Sequence, residues 1–420
     1  MNGGRTDRKL DAAWLREGPL PRLLAVLDRD GEEARVIGGA VRNALLGEPV
    51  HEYDVATTAV PEEVVRRVTA AGFKAVPTGI AHGTVTVVID RHPFEVTTLR
   101  LDVETYGRYA KVEFGRDWAG DAHRRDFTIN ALSVTADGSI HDYTNGLADL
   151  AARRVRFIGE AKTRIAEDYL RILRFFRFHA AYGLGDPDRD GLSACVEGRA
   201  GLDQLSRERV RMEMMKLLLA ARATPTLAVM GEVGLLLRVL GGVPYLATFE
   251  MMSKVEASAG VAPDAARRLG ALGAATPEDA ERLWQRLRLT NAEHARLAAM
   301  GAHWRNLSPV QGEQAARAAL YRLKPEHYVD CALLAWARAQ ASAHDDAWRA
   351  LVTLPQRWTA PVFPLKAADF MARGIEKGPA LGAAMRAAEE VWIERGFSSD
   401  QSALRAIADA ALRSAGGRSA

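Results

Sequence analysis

The spacing of hydrophobic residues changes once along the chain. Between residues 35 and 159, short apolar and β-branched runs alternate with turns, and five of them, residues 35–37, 53–57, 84–89, 94–99 and 155–158, are expected to be strands. Asp90-Arg91-His92-Pro93, between two of these runs, has the composition of a hairpin turn. From Thr163 onward strand signals nearly vanish. Ala, Leu and Arg then recur at helical spacing through residues 165–182, 207–222, 263–272, 277–289 and 291–304. Gly183-Leu184-Gly185-Asp186-Pro187, Gly241-Gly242-Val243-Pro244 and residues 361–364 interrupt the helices, and residues 414–420 have the composition of a frayed tail. No fixed period repeats, which favours an irregular helical array over a solenoid. The chain is thus expected to be an α/β domain followed by a mostly helical remainder.

Composition narrows the class. At 420 residues, 48% hydrophobic and 26% charged, the sequence has the makeup of a globular chain of several domains rather than a disordered or disulfide-stapled one. Its two cysteines, Cys195 and Cys331, supply neither a disulfide framework nor a cysteine-based zinc site, and such usage suits a reducing cytoplasm. The charged N-terminus has no following apolar segment, so a secretory signal is not expected. The most apolar stretch, residues 234–246, is interrupted by Arg238 and falls well short of the roughly 20 residues a bilayer needs, so no membrane association is expected. The net charge of +3 permits a nucleic-acid partner without requiring one. Arg153, Arg154, Arg156, Arg164, Arg171, Arg174 and Arg177 form a cluster that suits either a polyanion or a solvated helix face.

Five segments carry candidate chemistry. In Val36-Ile37-Gly38-Gly39-Ala40-Val41-Arg42, a strand enters a glycine pair and then a helix with an early arginine. Backbone N–H groups and a guanidinium can there face one anion, although plain turn chemistry explains the glycines too. Glu52 and Asp54 stand at i and i+2, which on a strand sends both carboxylates to one face. Such a pair repels itself unless a cation lies between, and paired Mg²⁺ ions suit in-line phosphoryl chemistry; an exposed strand face is the plainer alternative. Glu95, on a later strand, is either a third carboxylate of that site or an edge-strand gatekeeper. Arg124-Arg125-Asp126 precedes an apolar run expected to be helical, where the aspartate is placed to cap and the arginines to address phosphate or sugar. Asp168, Arg171 and Arg174 follow at steps of three, with Arg177 slightly further round. On one helix face a carboxylate and a guanidinium offer acceptors and donors to a base edge, or merely pair with each other.

Taken in order, these segments resemble the class II CCA-adding enzymes and bacterial poly(A) polymerases, template-independent members of the DNA polymerase β-like nucleotidyltransferase superfamily. The resemblance covers roughly residues 35–222. Gly38-Gly39-Ala40-Val41-Arg42 is similar to the family's G-G-x-V-R-D opening, and Glu52-Tyr53-Asp54 to its metal-binding D-x-D. Arg124-Arg125-Asp126 is similar to its R-R-D segment, Glu167-Asp168-Tyr169-Leu170-Arg171 to its E-D-x-x-R helix, and Ser206-Arg207-Glu208-Arg209 with Glu213 to its S-x-E-R…E helix. Each motif singly is weak; all five in order are strong.

The resemblance implies a polymerase β-like α/β head with a mixed sheet at residues 31–160, after an N-terminal segment at 1–30. An all-α neck at 161–222 and a body and tail at 223–420 would surround tRNA. It implies that Gly39 and Arg42 hold the triphosphate, Glu52 and Asp54 the Mg²⁺ ions, and Arg125 the sugar. Asp168 and Arg171 would read the base, with Arg174 and Arg177 supporting the same pocket. Residues 102–120 would form a flexible segment that moves as the enzyme switches from CTP to ATP. The implied activity is addition of C, C and A to tRNA from CTP and ATP, with no protein partner required. Poly(A) synthesis, addition of CC or A alone, or silent RNA binding are the rival outcomes. Two residues depart from the family pattern: Glu52 stands where Asp is usual, and Asn43 follows the cradle arginine where Asp is usual. A family-associated HD phosphohydrolase module is not expected, since His344-Asp345 lacks further histidines at metal-site spacing.

Overall fold

The run Thr84–Ile89 buries Val85, Val87 and Ile89 and turns Thr84 and Thr86 to the other side, as a two-residue period requires. The computed structural model describes residues 4–80, 83–106 and 109–416 and divides into two compact units, Met1–Val239 and Leu240–Ala420. Among the described residues ten strands lie in the first: β1 (Arg5–Lys9), β2 (Ala34–Ile37), β3 (Asp54–Thr57), β4 (Lys74–Gly79), β5 (Thr84–Ile89), β6 (His92–Thr98), β7 (Arg100–Tyr106), β8 (Tyr109–Phe114), β9 (Ser133–Val134) and β10 (Ser139–His141). Eight form one mixed sheet in the order β1-β10-β9-β2-β3-β6-β5-β4, while β7 and β8 pair separately. Only β3 and β6 run parallel; their register sets Asp54 beside Glu95, and the antiparallel β5 sets Thr86 on the other side of Glu95. One row across three strands thus carries Asp54, Glu95 and Thr86.

The first unit's helices are α1 (Pro19–Leu27), α2 (Gly39–Leu46), α3 (Pro61–Ala70), α4 (Trp118–His123), α5 (Gly146–Ala151), α6 (Ala161–Glu167), α7 (Leu170–Tyr182), α8 (Arg189–Gly198), α9 (Arg207–Leu218) and α10 (Ala223–Glu232). Proline at the start of α1 and α3 costs nothing, because the first-turn N–H groups have no partner inside a helix. Leu20, Leu23, Leu24 and Leu27 of α1 are buried, and α1 packs on α3. In α7, Ile172, Leu173, Phe175 and Phe176 are buried, whereas Arg171, Arg174 and Arg177 follow one another along a more open side.

The chain continues through α11 (Leu235–Leu240) into the second unit, which holds α12 (Leu246–Ser258), α13 (Ala265–Gly273), α14 (Pro277–Leu287), α15 (Asn291–His303), α16 (Gly312–Ala339), α17 (Asp346–Val352), α18 (Leu354–Arg357), α19 (Ala367–Met371), α20 (Pro379–Glu394) and α21 (Gln401–Gly416). Capping boxes start α14 at Thr276 with Asp279 and α15 at Thr290 with Glu293. Helix α16 is broken at Lys324 (φ 63°, ψ 160°), because the Pro325 ring disfavours helical backbone at the preceding residue and itself supplies no N–H. One core gathers Met252, Met300, Leu320, Tyr328 and Trp336, and another gathers Phe370, Leu381, Trp392 and Ile407.

The mixed sheet and the helical remainder agree with the sequence reading, with four local corrections. Residues 155–158 are not a strand: Phe157 alone makes a bridge, to Phe127. The two flanking arginines, Arg154 and Arg156, are instead drawn to the buried carboxylate of Asp149. The hairpin turn is shorter than expected, with Asp90 and Arg91 alone at positive φ and His92 and Pro93 inside β6. The apolar run after Asp126 forms only a short 3-10 turn, Thr128–Asn130, without a side-chain cap. The expected continuous helix at 165–182 breaks at Asp168, whose backbone is extended (φ −154°, ψ 107°). Within residues 102–120, Gly107 and Arg108 and the side chains of 101–113 lie outside the described residues; the described backbone forms part of the β7–β8 ribbon and the start of α4.

Candidate active site

Three elements of the first unit meet around a cavity of about 990 Å³: the open sheet face at β3, β5 and β6, the turn into α2, and helices α7 and α9. Gly38 takes φ 67° between β2 and α2, a left-handed geometry that glycine adopts without a Cβ clash, and a Cβ there would lie 3.5 Å from the Asn130 carbonyl. Both Gly38 and Gly39 line the cavity, at the N-terminal end of α2.

All nine residues singled out from the sequence, Gly39, Arg42, Glu52, Asp54, Arg125, Asp168, Arg171, Arg174 and Arg177, line this one cavity, and Glu95 joins them. Glu52 lies just before β3 and Asp54 opens it. The Asp54 carboxyl is pushed above its ordinary value by partial loss of water, then by the charge of Glu95 and, more weakly, of Glu52, with Arg125 acting in the opposite direction. Such mutual repulsion among oxygen donors is what a hard divalent cation relieves, so the donor set fits one. Among the described residues no three His, Cys, Asp or Glu side chains gather closely enough to form a metal cluster by themselves.

The opposite wall is cationic, and its charges are ordered by second partners. Asp121, buried, takes both Arg124 (2.6 Å) and Arg125 (2.9 Å); burial raises its pKa, but the two guanidiniums win and hold it below the usual carboxylate range. Asp126 accepts from the Phe127 N–H (2.9 Å), Asn130 Nδ2 (3.2 Å) and Arg174 Nε (2.7 Å), and is likewise held low against its own burial. Asp126 is therefore an anchor for α7 rather than the cap of a long helix. Arg177 binds Glu213 of α9, with Arg174 3.8 Å from the same carboxylate.

Asp168 does not pair with Arg171. Its carboxylate takes Arg209 of α9 (2.6 Å), while Arg171 donates to Glu167 and to the Arg164 carbonyl (2.6 Å). The helix break at Asp168 causes this, because it takes the aspartate off the face that carries the arginines. Arg209 and Lys216 also line the cavity from α9; sequence reasoning quoted Arg209 in the fifth motif without placing it in the site, and missed Lys216. Their seven-residue separation, with Glu213 between, was the available signal of one helix face. Tyr53, Asn130 and Phe178 complete much of the remaining lining.

Family models match two parts of the chain: residues 34–156 match the poly A polymerase head domain, and residues 188–257 a probable RNA and SrmB-binding site of polymerase A. The mitochondrial CCA tRNA nucleotidyltransferase 1 of Mus musculus is 34% identical over 394 residues, spanning 92% of this chain and 88% of the relative. The chain belongs to the CCA tRNA nucleotidyltransferase family. A second family member, the CCA-adding enzyme of Leuconostoc citreum, is 41% identical over 216 residues, covering 51% of this chain and 52% of the relative. Among solved structures, the Bacillus stearothermophilus CCA-adding enzyme in complex with CTP superposes with a TM-score of 0.75 at 26% identity, covering 97% of this chain and all of that one. The Thermotoga maritima CCA-adding enzyme complexed with tRNA shares the fold, with a TM-score of 0.65 at 16% identity and coverage of 97% of this chain and 98% of that one. No helix among the described residues is long and apolar enough to cross a membrane.

Proposed function

We propose that the protein adds C, C and A to the 3′ end of tRNA, taking CTP and ATP and releasing pyrophosphate without a template. One observation carries the reading: the segments that the sequence spaces over more than 170 residues converge on a single cavity, with Glu52, Asp54 and Glu95 on its sheet side and the arginines of α7 and α9 lining the same space. The 3′ oxygen of the primer attacks the α-phosphorus of the nucleotide, the bond from that phosphorus to the bridging oxygen breaks, and pyrophosphate leaves while the hydroxyl proton passes to solvent water.

Glu52 and Asp54, with Glu95 beside Asp54, are the residues to hold Mg²⁺, which when bound lowers the pKa of the attacking hydroxyl and neutralises charge on the leaving phosphates. Glutamate at position 52 keeps the charge and oxygen donors of the usual aspartate on a side chain one methylene longer. Gly39 and Arg42 receive the triphosphate, where the N-terminal end of α2 and a buried guanidinium face the cavity. Arg125 lies toward the sugar, and Asp168 and Arg171 read the base edge, each pre-set by its second partner, Arg209 or Glu167. Arg174 and Arg177 keep that helix fixed through Asp126 and Glu213. In this division residues 31–160 are the catalytic head after an N-terminal segment at 1–30, 161–222 the neck, and 223–420 the body and tail that hold tRNA. The compartment we assign is the reducing cytoplasm, in keeping with two free, buried cysteines.

The test offers the full-length protein with Mg²⁺ three tRNA transcripts, ending before the first C, after C and after CC, with each nucleotide singly and together. Stepwise products ending in CCA are expected. Arrest after CC, addition of A alone, or long A tracts would replace the reading by a narrower or different polymerase, and no incorporation at all would leave an RNA-binding protein. Omitting Mg²⁺ is expected to stop incorporation while leaving tRNA bound.

A further inference from the structure

Arg42 differs from the arginines around it. Its guanidinium is buried, yet among the described residues no carboxylate forms an ion pair with it. Its N–H groups donate to Asn43 Oδ1 (3.2 and 3.0 Å), to Asn130 Oδ1 and to the Tyr182 hydroxyl (2.7 Å), all of them neutral acceptors. The charge centre also lies 3.9 Å from the centroid of the Tyr182 ring, which stacks on Phe178 at 5.9 Å and 27°. A cation held only by neutral groups keeps its charge for an incoming anion, and the groups that hold it decide where that charge points. A carboxylate in their place would orient the guanidinium but neutralise it.

Tyr182 grips this guanidinium in two ways at once, by hydroxyl and by ring, and it is the last residue of α7, the helix that carries Arg171, Arg174 and Arg177. It does not line the cavity itself. We propose that Tyr182 is a positioning residue for nucleotide binding, which aims the uncompensated Arg42 guanidinium at the polyphosphate and does so from the helix that faces the base. The proposal rests on Arg42 being the polyphosphate cation. Because every nucleoside triphosphate shares that polyphosphate, the effect of Tyr182 is equal for CTP and ATP. The neutral Asn43 belongs to the same arrangement: it accepts from Arg42 without cancelling its charge.

The experiment measures kcat and KM for CTP on tRNA lacking CCA and for ATP on tRNA ending in CC, together with the KM for tRNA and the thermal unfolding midpoint. The proteins are the wild type, Tyr182→Phe, Tyr182→Leu, Arg42→Ala and the double variant Arg42→Ala/Tyr182→Phe. Loss of the hydroxyl alone in Tyr182→Phe is expected to raise both nucleotide KM values by one common factor of about 2 to 10. Loss of ring and hydroxyl in Tyr182→Leu raises them further, to about 5- to 50-fold. The KM for tRNA stays unchanged. In the Arg42→Ala background, Tyr182→Phe adds nothing, because the group it aims is gone. If Tyr182→Leu does not fold, Tyr182→Phe and the double variant carry the test. Unchanged nucleotide KM in Tyr182→Phe, with Arg42→Ala raising it, overturns the proposal alone, whether or not the unfolding midpoint falls. So does a Tyr182→Phe effect that persists without Arg42. Unchanged nucleotide KM in Arg42→Ala overturns the underlying reading of Arg42.

Discussion

The cavity of the first unit and the buried ion cluster of the second are built from the same side chains, arginines facing carboxylates, and differ in whether the charges close on one another. In the second unit Arg267 donates to Glu256 and Asp330 (2.8 Å each), Arg268 to Glu256 (2.8 Å), and Arg296 binds Asp330 (2.7 Å) and Asp264 (2.9 Å). Three guanidiniums meet three carboxylates, and Glu256 and Asp330 are each only 1% exposed. That cluster joins α12, α13, α15 and α16 and leaves no charge over. In the cavity, Arg42, Arg125, Arg171, Arg174, Arg177, Arg209 and Lys216 outnumber the acids that line it, Glu52, Asp54, Glu95, Asp126 and Asp168. Two of those acids are already bound by Arg174 and Arg209. The remaining acids stand together on the sheet side, while Arg125, Arg171 and Arg177 find acids outside the lining, in Asp121, Glu167 and Glu213, and the Arg42 guanidinium has only neutral partners. A closed network specifies packing, whereas an open one has charge to offer to a ligand.

Substitutions on both sides break or sharpen that contrast. Asp54→Ala, on the open side, is expected to lower kcat by about a thousandfold or more, at 1.36 kcal/mol per decade, since the lost carboxylate acts on charge that develops during transfer. Filter binding of tRNA should be nearly unchanged, and full activity would remove Asp54 from the site. On the closed side, Asp330→Ala leaves Arg267 and Arg296 short of a buried counter-charge and should cost about 3–5 kcal/mol in denaturant unfolding, while kcat/KM of the folded fraction is kept. A loss too small to measure would mean that the cluster is already solvated.

Arg171→Ala tests whether an arginine with a partner still serves a ligand. It should erode discrimination among CTP, ATP, UTP and GTP by about 1–3 kcal/mol, read as the ratio of kcat/KM values on one primer, while Arg42→Ala weakens all four nucleotides alike. An unchanged ratio would place Arg171 with the closed kind of pair, bound to Glu167 for structure only. The smallest effect is expected from Glu52→Asp, within about threefold of wild type in kcat, because charge and donor type are kept. A loss as deep as that of Glu52→Ala would show that the site needs the longer side chain.

Much of this was legible in the chain itself, and the limits have physical causes. The strands β5 and β6 followed from two-residue alternation, and the nine cavity residues followed from ordered motifs, since local pattern and residue type suffice for both. Residues 155–158 looked like a strand because Val155, Phe157 and Ile158 are apolar and buried, yet a strand needs a neighbour with a free edge, and only Phe127 offers one bridge. The break at Asp168 was hidden because its i+3 relation to Arg171 fits a helix as well as it fits the first turn of a new one. Arg209, quoted in the fifth motif, and Lys216 lay more than thirty residues beyond Asp168, and nothing in that motif by itself says that α9 returns to the cavity.

By itself, the sequence determined the class of the fold, the change from strands to helices after residue 160, and which residue types are available for phosphate, metal and base. These depend on periodicity and on chemistry carried by single side chains. Only the tertiary structure decided the pairings: Glu95 beside Asp54 through a parallel register, Asp168 with Arg209 rather than Arg171, and Arg42 between two asparagines and a tyrosine. A charge's strength depends on what stands within a few ångströms of it, and those neighbours come from segments far apart in the chain, brought together only when the core closes.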